Sequence, residues 1–198
     1  GGGGGAAAAG AGASGGATTT SNATDGTNPP PPIPEPLETV RLAERAEHDM
    51  STATQIKEWL YLSGDQVAKS KDLLKRYGIT TVLNTARTVC DNYYEGEGEV
   101  EYARSLDLAD SSEENLSHFF ISTIAEIERV RANKGRILVH CHQGVSRSPA
   151  LVIAYLMWLD NLTAKEAFSY VKARRTITRP NFGFMNQLTA FEQRLKFR

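Results

Sequence analysis

Apolar and polar positions repeat with strand-like or helix-like periods along residues 56–197. Compact, β-branched apolar runs predict strands, and apolar positions three or four residues apart predict helices. The predicted strands cover residues 56–64, 79–86, 100–108 and 136–141. The predicted helices cover residues 65–78, 115–133, 148–160, 163–175 and 182–197. Strands and helices alternate until three helices end the chain, so the pattern predicts a sheet with helices packed on its faces.

Capping residues place several helix ends. Gly78 is suited to a helix C-terminus because glycine adopts the left-handed conformation without steric cost. Pro149 is tolerated in a first helical turn. Thr163 and Glu166 have the spacing of a capping box, and Asn181 is expected to cap the last helix.

The N-terminal quarter of the chain has a different composition. Residues 1–20 contain only glycine, alanine, serine and threonine, and the stretch NPPPPIPEP at 28–36 holds six of the eight prolines. Such segments have little apolar surface to bury, so residues 1–52 are predicted to be a disordered tail preceding one domain over 53–198. The proline-rich stretch is either a stiff linker or a ligand for a partner domain.

Charge and cysteine content exclude several classes. The tail carries a net charge of −4 and the rest +3, which is too little for a typical nucleic-acid-binding protein but suits a phosphorylated partner. The longest apolar run, residues 149–159, is too short to cross a bilayer, so no membrane association is expected. No signal peptide is visible, and Cys90 and Cys141 are too few for a disulfide scaffold, which favours the cytosol or nucleus.

The stretch VHCHQGVSRSPA at 139–150 offers two chemical interpretations. His140, Cys141 and His142 could supply half of a metal site, but no other cysteine or histidine completes a recognised ligand spacing. No metal and no cofactor are therefore expected. Alternatively, a strand ending at Cys141 and a helix beginning near Arg147 would direct successive backbone N–H groups at an anion.

The second interpretation accounts for more residues. Gly144 permits a tight turn, and the guanidinium of Arg147 matches the oxygens of a phosphate. A cysteine in such surroundings is favoured as the thiolate, which is its nucleophilic form. Simple burial of Cys141 as a small residue leaves this combination unexplained.

The stretch HCHQGVSRS resembles the H-C-x5-R-S/T signature of cysteine-dependent protein phosphatases. With its flanks, GRILVHCHQGVSRSPALVIAYLMW, it is most similar to the dual-specificity branch and to plant and algal MAP kinase phosphatases, over residues 54–198. The resemblance implies a central mixed sheet of about five strands flanked by helices. It implies that Cys141 is the nucleophile, that Arg147 binds phosphate, that Ser148 assists departure of the thiolate, and that His140 orders the loop. The loop backbone would bind phosphate through His142, Gln143, Gly144, Val145, Ser146 and Arg147.

The same family uses an aspartic acid as general acid. Asp110 fits its D-x4-N-L-S pattern, whereas Asp107 is expected to belong to the end of a strand. Arg175 either holds a second phosphate of the substrate or is a solvated basic residue at a helix end. Cys90 is either a spectator or a partner of Cys141 under oxidation.

The implied function is hydrolysis of phosphotyrosine and of phosphoserine or phosphothreonine in a protein substrate, with a MAP kinase as the expected partner. Two alternatives stay open. The first is a glucan or phosphoinositide phosphatase, although the loop lacks the lysines usual in phosphoinositide enzymes. The second is a pseudophosphatase that binds phosphoproteins without hydrolysing them.

Overall fold

A five-stranded mixed sheet lies at the centre of the computed structural model, which describes residues 36–196. Its strands are β1 (Thr54–Lys57), β2 (Leu60–Ser63), β3 (Thr81–Asn84), β4 (Glu101–Tyr102) and β5 (Ile137–His140). The spatial order is β1-β2-β5-β3-β4; β1 runs antiparallel to β2, and the other neighbours are parallel. The predicted mixed α/β sheet is confirmed.

Helices cover both faces of the sheet. They are α1 (Pro36–Ser51), α2 (Asp65–Ala68), α3 (Lys71–Tyr77), α4 (Phe120–Ala132), α5 (Arg147–Asp160), α6 (Ala164–Arg174) and α7 (Phe182–Leu195). A 3-10 turn at Leu116–Phe119 precedes α4. Within the part of the chain that is described, no helix is long and apolar enough to cross a bilayer.

The period-two alternation of strand side chains divides the core between the two faces. In β5, Ile137 and Val139 pack with helices α4 to α7, whereas Leu138 packs with α2 and α3 on the opposite face. Helix α5 is buried without interruption from Ser148 to Met157, as expected for a helix surrounded by its neighbours. This central helix begins where β5 ends, so the loop between them is held from both sides.

The predicted caps are confirmed. Gly78 ends α3 in the left-handed conformation, with φ 66°. Thr163 and Glu166 form the capping box of α6, and the Asn181 side chain accepts a hydrogen bond from the Phe184 N–H at the start of α7.

Several predicted elements are divided or shortened. The strand predicted over 56–64 is part of a hairpin, because β1 and β2 pair antiparallel on either side of a turn. The helix predicted over 65–78 is interrupted at Ser70, whose side chain caps α3. The strand predicted over 100–108 is reduced to β4 and one isolated bridge between Ala86 and Asp107.

Helix α1 is the largest departure from the predicted tail. The prediction of disorder over 1–52 is wrong for Pro36–Ser51, which is helical. Its C-terminal end is tied to the domain through Asp49, which is only 6% exposed. The helix begins at Pro36, the last proline of the proline-rich stretch, which is possible because a proline is tolerated in the first turn of a helix. Residues 1–35 lie outside the described residues.

Candidate active site

The loop that follows β5 forms one wall of an open cleft of about 470 Å³. The loop begins at the carboxyl end of β5, between the carboxyl ends of its parallel neighbours β2 and β3. Ligands usually bind at this edge of an open α/β sheet. The residues lining the cleft are Asp110, Cys141, Gln143, Val145, Ser146, Arg147, Arg179, Pro180, Asn181 and Phe182. The cleft thus unites segments far apart in the sequence.

Neighbouring backbone holds the two ends of the loop. The carbonyl of His142 accepts a hydrogen bond from the Asp65 N–H at 2.9 Å, and the carbonyl of Val145 accepts one from the Arg179 N–H at 2.7 Å. In a planar trans peptide the N–H lies opposite the carbonyl. Holding these carbonyls from the surrounding segments therefore turns the N–H groups of Gln143 and Ser146 toward the interior of the loop.

Arg175 binds the carbonyls of Gln143 and Gly144, which lie between those of His142 and Val145 in the loop. Its Nε donates to the carbonyl oxygen of Gly144 at 2.8 Å and its Nη2 to that of Gln143 at 3.1 Å. Gly144 has φ +68°, and a Cβ there would lie 2.5 Å from the carbonyl of Ser63 and from the Arg175 guanidinium. This position therefore requires glycine both for its conformation and for the close approach.

The sulfur of Cys141 lies at the centre of this arrangement and is nearly inaccessible, the residue being 2% exposed. The Gly144 N–H and the Ser148 hydroxyl each donate to Sγ at 3.2 Å. Donors directed at sulfur stabilise negative charge there. The structure thus brings Cys141, the loop N–H of Gly144 and the hydroxyl of Ser148 together, in the arrangement expected of a loop that binds an anion.

Arg147 begins α5 and lines the cleft together with Cys141. Its Nη1 donates to the carbonyl of Leu108 at 3.1 Å, which orients the side chain. Its Nε has no hydrogen-bond partner among the described residues and lies 3.8 Å from Asp110 Oδ2. A buried donor without a partner beside an anion-binding loop is suited to a phosphate oxygen.

The structure separates the two aspartates considered for the general acid. Asp110 lines the cleft, and its Oδ1 accepts hydrogen bonds from the Ser146 hydroxyl at 2.6 Å and from Asn181 Nδ2 at 3.0 Å. Asp107 instead accepts a hydrogen bond from the Thr88 N–H at 3.1 Å, outside the set that lines the cleft. Asp110 therefore has the placement of an acid, and Asp107 supports the loop after β3.

Two predicted substrate contacts are placed differently. Arg175 is fully buried, so the prediction that it holds a second phosphate and the alternative of a solvated helix end are both wrong. Its guanidinium donates to the carbonyls of Gly144 and Gln143, so these donors are not available to a ligand. The side chain of His142 is exposed and does not line the cleft, whereas Gln143, Val145 and Ser146 do.

The start of α7 and the segment before it supply the residues of the cleft that sequence reasoning missed: Arg179, Pro180 and Phe182. Phe182 is 78% exposed and lines the cleft, so its ring is accessible to a bound substrate. The signal that could have found them is Asn181, because a helix cap facing the catalytic loop brings its neighbours there as well.

A buried group beneath the loop contains Asp65, Cys90 and His140, whose potential ligand atoms lie within 4.8 Å of one another. The carboxylate of Asp65 is already engaged by the Tyr93 hydroxyl at 2.7 Å and by Lys69 Nζ at 2.5 Å. Burial lowers the pKa of His140 to about 4, so its imidazole is neutral. Hydrogen bonding thus occupies the Asp65 carboxylate, whereas the buried Nε2 of His140 has no hydrogen-bond partner among the described residues.

Cys90 contacts the catalytic region from below. It shares a small buried cluster with Ala86 and Cys141. Burial, and secondly the nearby Asp65 carboxylate, raise the pKa of Cys90 to about 12. Its thiol is therefore protonated at neutral pH, unlike an activated nucleophile.

Comparisons with known proteins agree with this geometry. The family model described as the catalytic domain of dual-specificity phosphatases matches residues 60–194. The chain is 42% identical over 142 residues to the protein-tyrosine-phosphatase MKP1 of Arabidopsis thaliana, covering 72% of this chain and 18% of that protein. It is 38% identical over 148 residues to human dual specificity protein phosphatase 4, covering 75% of this chain and 36% of that protein.

Solved structures show the same fold. The human tyrosine phosphatase-like serine/threonine/tyrosine-interacting protein superposes with a TM-score of 0.66 at 32% identity, covering 72% of this chain and 97% of that one. Human DUSP28 superposes with a TM-score of 0.66 at 30% identity, covering 73% and 95%. The chain spans less than two fifths of the length of the two sequence relatives named above. The chain belongs to the family of dual-specificity phosphatase catalytic domains.

Proposed function

We propose that this chain hydrolyses phosphotyrosine and phosphoserine or phosphothreonine in a protein substrate through a cysteinyl-phosphate intermediate. The observation that carries the proposal is the convergence of Cys141, Arg147 and Asp110 on one cleft. A nucleophile, a fork of cationic donors and an acid are the groups that transfer of a phosphoryl group to sulfur requires.

The first step forms a bond between the phosphorus and Cys141 Sγ while the bond to the leaving oxygen breaks. The ring of loop N–H groups and the guanidinium of Arg147 hold the equatorial oxygens and stabilise their charge in the transition state. Asp110 donates its proton to the leaving oxygen, because an alkoxide or phenolate departs slowly without one.

The second step releases phosphate. Water attacks the phosphorus, the P–S bond breaks, and its electron pair returns to sulfur. Asp110, now a carboxylate, accepts the proton of the water, and the Ser148 hydroxyl stabilises the returning thiolate through its hydrogen bond to Sγ at 3.2 Å.

A MAP kinase phosphorylated at two neighbouring residues is the proposed substrate. Support comes from the relatives' names and from a second cavity of about 360 Å³, which shares Gln143, Val145 and Arg179 with the catalytic cleft. Arg179 is exposed, and none of the ion pairs among residues 36–196 includes it. We assign to Arg179, instead of Arg175, the contact with a second phosphate. The two free cysteines suit a reducing compartment, the cytosol or nucleus.

The alternatives differ in the substrate or in the chemistry. A glucan or phosphoinositide phosphatase would use the same loop, whereas a pseudophosphatase would bind phosphoproteins without turnover. The set of Cys141, Arg147 and Asp110 in one cleft favours an active enzyme over a binding protein.

One assay distinguishes these functions. Phosphate release is measured from a doubly phosphorylated MAP kinase, from singly phosphorylated tyrosine and threonine peptides, from a phosphoinositide and from a phosphorylated glucan. The proposal predicts fastest turnover with the kinase and no turnover with Cys141→Ser. Preference for the lipid or the glucan would overturn the substrate, and binding without turnover would establish a pseudophosphatase.

A further inference from the structure

Arg175 connects the phosphate-binding loop to a segment at the N-terminal side of the domain. Its guanidinium is completely buried and donates in two directions. On one side it bonds to the carbonyls of Gln143 and Gly144. On the other, Nη1 donates to the carbonyl of Asp49, to that of Thr52 at 3.5 Å and to Thr54 Oγ1 at 3.3 Å.

The bonds on the loop side determine where two N–H groups point. The carbonyls of Gln143 and Gly144 share their peptide planes with the N–H groups of Gly144 and Val145. Because Arg175 holds the carbonyls from behind, these N–H groups face the interior of the loop, and the first reaches Cys141 Sγ at 3.2 Å. A change in the guanidinium position would therefore rotate these two N–H groups away from the sulfur and from the bound phosphate.

The bonds on the other side depend on the C-terminal end of α1. Helix C-termini present unpaired carbonyls and a partial negative charge, both of which attract a cation. Asp49 adds a carboxylate, whose Oδ2 accepts hydrogen bonds at 2.6 Å from both the N–H and the hydroxyl of Thr176. Asp49 is the one residue of α1 between Glu38 and Ser51 that is buried.

We propose that the end of α1 is part of the catalytic apparatus, with Asp49 and Arg175 as positioning residues that set the loop N–H groups for phosphate. This inference rests on the proposed function and deepens it. The segment precedes residue 60, where the match to the family model begins, so it extends the functional unit beyond the matched region.

Electrostatics explains why the two residues act together. Burial lowers the pKa of Arg175 to about 10, and the carboxylate of Asp49 and the sulfur of Cys141 oppose this shift. The guanidinium thus stays charged at neutral pH. Without the Asp49 carboxylate, the charge of Arg175 would stay buried with one fewer anion to stabilise it. The guanidinium and the segments around it would then shift, and the loop carbonyls that it holds would shift with them.

The test uses substitutions in the chain of 198 residues. Arg175→Lys keeps the charge but cannot bridge both sets of carbonyls, and Asp49→Ala removes the anchor on α1. Arg174→Gln is the control for the first, because Arg174 is exposed and stacks on Tyr170. Glu47→Gln is the control for the second, because Glu47 is an exposed acid of the same helix.

Three quantities are measured besides thermal stability: the dissociation constant of inorganic phosphate by calorimetry, the rate of Cys141 alkylation by iodoacetamide, and kcat with an aryl phosphate. We expect Arg175→Lys to weaken phosphate binding by about 10-fold and to lower kcat by roughly 100-fold, as for loss of oriented oxyanion donors. Asp49→Ala should act in the same direction by about 3- to 10-fold, with alkylation at about pH 6 slowed in both. The controls should stay within about twofold.

A purely structural role gives a different result. If Asp49→Ala lowers the melting temperature but leaves phosphate affinity, alkylation and kcat within about twofold of the native chain, the inference is overturned. If Arg175→Lys does not fold, the measurements on Asp49→Ala are by themselves the test of the positioning role. Absence of turnover in the native chain would overturn the proposed function instead, and phosphate affinity and alkylation would still test the positioning role.

Discussion

Asp110 and Ser146 are joined by a hydrogen bond of 2.6 Å from the serine hydroxyl to Oδ1 of the carboxylate. Ser146 belongs to the loop between β5 and α5, and the same oxygen accepts a hydrogen bond from Asn181, the N-cap of α7. Oδ2 remains 3.8 Å from Arg147 Nε. The carboxylate is thus held where three distant segments meet, with one oxygen fixed and the other nearer the guanidinium.

Replacement of Asp110 by asparagine should abolish proton donation while preserving the hydrogen bonds to Oδ1. We expect kcat with phosphotyrosine peptides to fall by about 10²- to 10⁴-fold, with loss of the basic limb of the pH–rate profile. Asp107→Asn is the matched control and should retain kcat, because Asp107 bonds to the Thr88 N–H. An unchanged rate for Asp110→Asn would remove this residue from the role of acid.

Replacement of Arg147 by lysine keeps the charge but removes the planar fork of donors. The rate with an aryl phosphate should fall by roughly 10²- to 10³-fold, and inorganic phosphate should inhibit more weakly. Arg87→Lys is the control, because Arg87 forms an exposed ion pair with Asp91. Equal rates for Arg147→Lys and the native chain would show that a point charge suffices.

Replacement of Arg179 by serine should reduce selectivity for doubly phosphorylated substrates. We expect kcat/KM for a peptide with two neighbouring phosphates to fall by about 10-fold more than kcat/KM for the singly phosphorylated peptide, which corresponds to loss of one charge-assisted contact. Lys172→Ser serves for comparison, because Lys172 also lines the second cavity but its Nζ donates to the carbonyls of Thr176 and Thr178. A parallel loss on both peptides would contradict the second-phosphate assignment.

Stability should decrease in acid because of His140. Its pKa in the folded state is about 4, below the value of about 6.5 expected for an unfolded chain. The unfolded state therefore binds more protons between these values, so stability is complete above about pH 6.5 and falls as the pH decreases toward 4. Protonation of His140 lowers the free energy of unfolding by about 3 kcal/mol at most. Urea unfolding of His140→Asn should show a weaker pH dependence, whereas His118→Asn, an exposed control, should match the native chain; equal slopes for all three would contradict this account.

Local sequence signals predicted the parts of the fold and site that depend on local chemistry. Gly78, Thr163 and Asn181 marked helix ends because their preferences are set within one turn. The loop from Cys141 to Arg147 was predictable for the same reason, since a strand, a short glycine-containing turn and a helix start specify its geometry.

Features that depend on distant contacts could not be predicted. Arg175 reads in sequence as a basic residue at a helix end, and its burial depends on carbonyls more than 100 residues away, at Asp49 and Thr52. Arg179 and Phe182 reach the cleft only because α7 docks beside the loop. Helix α1 was missed because it is polar on average and almost wholly exposed, so it contains few of the apolar residues by which a buried helix is recognised.

The central claim is that phosphate passes through a covalent bond to Cys141. Rapid acid quenching during turnover of a phosphotyrosine peptide, followed by mass spectrometry of proteolytic fragments, tests it directly. The account predicts phosphate on Cys141 in the native chain and none in Cys141→Ser. With an activated aryl phosphate as substrate, Asp110→Asn should accumulate more phosphorylated Cys141 than the native chain, because attack by water on the intermediate is slowed. Continued phosphate release by Cys141→Ser, or turnover without a phosphorylated cysteine, would contradict it.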